Sequence, residues 1–163
     1  MGALYFLNVT LHVLAALLWL GGMFFLAVVG APLLRGVEPP QLRQRLFHEL
    51  GSRFRTVGWV SISVLLVTGT LNLWFHGWLP LMGQAAFWRT GVGHTLAAKL
   101  AAVTIMVTVS AIHDFVDGPR AGRVAPGSPE SLRLRRRASR LARVNAIVGL
   151  VLVVVAVRLA RGG

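Results

Sequence analysis

The chain has no cysteine. That excludes disulfides, iron–sulfur ligation and covalent attachment of a c-type heme. Acid is scarce as well, with five Asp and Glu against 17 Lys and Arg in 163 residues. Asp114 alone among them falls at the end of an apolar run, so no buried carboxylate pair supports hydrolysis or proton pumping. Lysine occurs once, at Lys99, and no residue between Leu4 and Pro32 carries a formal charge.

What remains is apolar. Hydrophobic residues make up 55% of the chain, charged residues 13%, and the mean hydropathy is +0.68. This is the composition of an integral membrane protein. A bilayer core of ~30 Å needs ~20 helical residues, and the runs at about 4–31, 57–79, 92–116 and 144–160 are long enough. The expected fold is all-α: a four-helix membrane bundle forming a single transmembrane domain over residues 1–163. The first run lacks a basic n-region and exceeds a signal h-region, so it is expected to remain as a helix.

Most of the net charge of +12 sits in two loops. Arg35, Arg43, Arg45, Arg53 and Arg55 lie between the first two runs, and Arg120, Arg123, Arg133, Arg135, Arg136, Arg137, Arg140 and Arg143 between the last two. Basic loops alternating with a loop holding Arg89 alone follow the positive-inside rule. Both termini are therefore expected outside the cytoplasm, in a multi-pass protein of the cytoplasmic membrane. The basic loops are read as contacts for anionic lipids rather than nucleic acid. Within them, Leu42, Leu46, Leu50 and Phe54 form one stripe, as in a cytoplasmic amphipathic segment (residues 41–55) lying at the membrane surface. Residues 117–143 read as a flexible basic loop, in which Ser128, Pro129 and Glu130 mark a helix start well before the fourth apolar run.

Polar groups inside the spans cost a few kcal/mol unless they face protein or water, and so mark candidate sites. His12 lies ~12 Å along its helix from Leu4, on a face with Asn8, Trp19 and Met23. Thr68, Asn72 and His76 make a stripe on the second run, and Lys99, Met106, Ser110 and His113 one on the third. An imidazole in such a place binds heme iron or copper, or is satisfied by a neighbouring helix. For heme b, His12 would be one axial ligand and His76 or His94 the other. Ala15, Ala16, Gly21, Gly22, Ala97, Ala98, Ala101 and Ala102 would let helices approach closely, and Lys99 and Arg158 would hold the propionates. That gives a b-type cytochrome working with a redox partner, with homo-oligomers equally compatible. For copper, the donors are His12, His76 and His94 with Met23, Met82 and Met106, although no Met-x-x-Met or His-x-His cluster is present. His48 and His113 read as solvated and as hydrogen-bonded at the inner boundary, respectively. Lys99 also has a plain alternative, snorkelling to the interface.

Three stretches carry a resemblance. "HVLAALLWLGG" from His12, "FRTVGWVSISVLLVTGTLNL" in the second run and "GHTLAAKLAAV" in the third resemble the copper resistance protein D family. They are also similar to the HemJ-type protoporphyrinogen oxidases. The resemblance implies a heme ligand at His12, a functional lysine at Lys99, and a heme-dependent oxidoreductase acting on a porphyrin or quinone-like substrate. Alternatively it implies copper binding or transport. The chain departs from the HemJ-type pattern at Val9, where a lysine is usual, and in the later placing of Pro32, Arg35 and His113. These departures touch porphyrinogen oxidation more than heme binding.

Overall fold

The computed structural model describes residues 2–121, 123–124 and 128–162. Among these there is no strand, and four helices are each long and apolar enough to cross a membrane: α1 (Gly2–Arg35), α2 (Pro40–Phe75), α3 (Gly91–Arg120) and α4 (Pro129–Ala160). Helix is what the composition demands, because lipid offers no partner to a backbone amide. The chain divides into two compact units, residues 1–83 and 84–163, each built on one pair of long helices.

In the first unit α1 packs on α2 through Asn8, Ala15 and Trp19, which are buried, against Gly58, Ser61, Ile62 and Thr68. The spacing 8, 12, 15, 19 keeps one face of α1 on its partner. Two widened π-helical turns interrupt α1, at Leu17–Gly21 and Leu26–Gly30, and the first carries Trp19. The stripe of residues 41–55 is not a separate surface helix. It forms the opening turns of α2, and Leu50 and Phe54 turn toward α1: a Cβ on Gly22 would collide with the Phe54 ring, and one on Gly30 would lie 3.8 Å from Leu50. Glycines on α1 make the room that the stripe fills. Apolar residues on the other faces, such as Phe6, Leu17, Val28 and Val60, stay exposed, as a lipid-covered surface requires.

α2 ends four residues before the expected Leu79, at a Schellman turn. Gly77 adopts φ +67°, its N–H donates to the Trp74 carbonyl, and the Trp78 N–H donates to the Leu73 carbonyl. His76 is thereby the C-cap residue.

In the second unit the Thr90 hydroxyl caps α3, accepting from the Gly93 N–H at 3.0 Å. Position 93 must be glycine, because a Cβ there would run into the Phe87 carbonyl and the Trp88 Cα. α4 starts at the expected cap, where the Ser128 hydroxyl accepts from the Ser131 N–H at 3.1 Å. Residues 129–143 are therefore helical rather than part of a flexible loop. Positions 122 and 125–127 of that loop lie outside the described residues. Leu96 and Met106 of α3 are the most deeply buried side chains, and Leu152 of α4 is buried with them.

Candidate functional site

The first unit holds a connected polar network. Asn8 donates from Nδ2 to the Thr68 carbonyl (3.0 Å) and to Asn72 Oδ1 (2.8 Å). His12 Nδ1 lies 2.8 Å from Thr68 Oγ1. His76 Nδ1 lies 2.8 Å from the Asn72 carbonyl, and the Tyr5 ring stands edge-on to His76 with centroids 5.8 Å apart. Thr68, Asn72 and His76 repeat every four residues, so one face of α2 carries all three partners.

The bond directions fix the chemistry of both imidazoles. The Thr68 hydroxyl has one proton, which it donates to the Val64 carbonyl at 2.6 Å. Toward His12 it can only accept, so His12 Nδ1 carries the N–H, which in the neutral ring puts the lone pair on Nε2. His76 Nδ1 faces a carbonyl, which accepts only, so its lone pair also lies on Nε2. A histidine with Nδ1–H held by a protein oxygen and Nε2 basic is the form that binds a metal. His12 is half-buried, and its ring lies along α2, where a Cβ on Gly69 would stand 3.4 Å from Cε1. Eight residues separate Thr68 from His76 on α2, ~12 Å of rise, so His12 and His76 stand at different depths.

The second unit gathers other candidates. His94, Thr95 and Ala98 of α3 and Val155 and Arg158 of α4 line a groove of about 150 Å³. Pockets that enclose drug-sized molecules start near ~300 Å³, and a porphyrin is larger still, so this groove does not take a macrocycle. Lys99 is half-buried on α3 and does not line the groove. At the other end of the unit, Asn145 donates to the Ser110 hydroxyl at 3.0 Å, and His113 Nδ1 lies 2.9 Å from Asp114. Asp117 is 3% exposed, and its Oδ2 lies 3.1 Å from Arg137 Nε. That contact is an ion pair without hydrogen-bond alignment, because neither carboxylate oxygen has a hydrogen-bond partner among the described residues. Burial of Asp117, and its pairing with Arg137, left no signal in the sequence beyond a second acid three residues after Asp114.

The sequence-derived candidates thus divide. His12 and His76 share the network of the first unit, while His94 and Arg158 share the groove of the second. Among the described residues no three His, Asp or Glu side chains converge as a ready-made metal cage.

Four lipid-length helices with polar groups held between partners define an all-α, multi-pass integral membrane protein. The family model for copper resistance protein D matches residues 48–159, more than half of the chain, and the chain belongs to that family. The match covers His76, His94, Lys99 and Arg158 and begins beyond His12. An uncharacterized protein of Aquifex aeolicus (strain VF5) is 33% identical over 153 residues, 93% of this chain and 92% of that protein. No solved structure matches the chain.

Proposed function

We propose that this protein handles copper ions at the cytoplasmic membrane, as cargo rather than as a resident redox centre. The observation that carries the reading is the relay from His12 through Thr68 to Val64, which leaves the His12 lone pair on Nε2. His76, in the same tautomer, is a second imidazole donor at a different depth. Imidazole and thioether suit copper, and half-buried Met23 on α1 and Met82 beyond His76 add soft sulfur. The family is named for copper resistance. By the positive-inside rule the His76 end would face outside the cell, so copper would meet His76 before His12.

Heme b, the first expectation for His12, gains nothing from family membership. The His12 imidazole lies along α2, and the groove at Arg158 is too small for a macrocycle.

The test is to load the purified full chain with Cu(I) under reducing conditions, remove free metal, and measure copper together with the absorption spectrum. Wild type is expected to retain copper and His12→Ala to lose it, with membrane insertion and helicity unchanged. A Soret band that disappears in His12→Ala would instead establish heme. Protein free of both would leave His12 as a bolt between helices.

A further inference from the structure

The groove in the second unit is unlike the histidine network of the first. It joins the second turn of α3 to the last turn of α4, with His94, Thr95 and Arg158 as its polar lining and Ala98 and Val155 as its floor. Its volume of about 150 Å³ has room for several waters, which is the size of a small oxyanion.

Three observations on these residues point the same way. Thr95 is only 6% exposed, lines the groove, and makes no hydrogen bond among the described residues. The hydroxyls of Thr10, Thr68, Thr70 and Thr104 are each spent on the carbonyl four residues back, so the Thr95 hydroxyl keeps a donor for something in the groove. Among the described residues of its unit Arg158 has no acidic partner, for the nearest acid on α3, Asp114, lies 20 residues beyond His94, ~30 Å of helix rise. The first turn of α3 also has no acidic residue to offset its exposed N–H groups, and that end of a helix favours an anion.

We propose that His94, Thr95 and Arg158 form a binding site for a phosphate group. The guanidinium fork grips two phosphate oxygens, and the hydroxyl and imidazole each donate to another. The positive charge that invites an oxyanion also repels a metal cation, which assigns His94 to this site rather than to copper. Either the phosphodiester of an anionic lipid or a free phosphate ion presents this chemistry. The proposal does not depend on the copper reading, since none of its residues belongs to the His12 network.

Two arms distinguish the sources. In one, the full chain in a neutral detergent is titrated with inorganic phosphate by calorimetry. In the other, it is reconstituted into phosphatidylcholine vesicles with and without phosphatidylglycerol, re-extracted, and the retained lipid identified by mass spectrometry. Binding is expected in at least one arm, and loss of a charge-assisted hydrogen bond predicts that Arg158→Gln and Thr95→Val each weaken it about tenfold. Thr95→Ser, which keeps the hydroxyl, and Arg161→Gln, off the groove, should bind as wild type, with helicity unchanged throughout. Phosphate titrating by itself identifies a soluble ion, and retained phosphatidylglycerol identifies a lipid. No binding in either arm, or equal losses in Arg161→Gln and Arg158→Gln, overturns the proposal.

Discussion

A single hydroxyl decides what His12 can do. Thr68 spends its proton on Val64 and offers only its lone pair, so the imidazole is oriented with Nδ1–H toward Thr68, and Nε2 is the nitrogen that would bind a metal. Removing such an outer-shell partner typically costs 10–100-fold in metal affinity. Thr68→Val should therefore weaken Cu(I) retention by about that factor, measured by competition with a chromogenic chelator, while Thr68→Ser keeps it. If Thr68→Val binds copper as tightly as wild type, the relay has no part in the site. Asn8 works differently: both its N–H groups are committed to α2, so its contribution is to fix the depth at which α1 meets its partner.

At the level of elements, an asymmetric ion pair ties the Asp117 end of α3 to α4. The Asp117 side chain is 4% exposed, whereas that of Arg137 is 50% exposed. Arg137 can turn to water when its partner is lost, but Asp117 cannot. Arg137→Ala, which strands a buried carboxylate, should destabilise the fold by about 3–5 kcal/mol. Asp117→Asn, which removes the charge and keeps the shape, should cost less, on the order of 1 kcal/mol. Unfolding midpoints in detergent compare the two, and equal losses would mean that the pair is solvated. The widened turns of α1 belong to this scale too. The first of them carries Trp19, which is buried.

For the whole molecule, the lack of cysteine becomes an experimental advantage. Single Gly2→Cys and Gly162→Cys variants should react with a membrane-impermeant maleimide on intact cells, whereas Gln44→Cys, in the basic segment before the second apolar run, should react only after permeabilisation. The reverse pattern would place the arginine-rich loops outside, against the positive-inside rule. The same orientation sets the direction in which copper would pass from His76 to His12, so labelling also tests the proposed course of the cargo.

Composition and periodicity by themselves determined the membrane class, the four helices, the Ser128 cap and the residue types worth watching, because each rests on local properties: transfer into lipid, helical repeat and the orphan N–H groups of a first turn. Legibility ended where contacts between helices begin. That Leu50 and Phe54 of the stripe meet α1, that His12 lies on Thr68, that His94 and Arg158 share one groove, and that Asp117 is buried against Arg137 were decided by tertiary structure. A hydrogen bond spanning 56 residues, or an ion pair joining two helices, depends on which faces meet, and no window of sequence contains that information.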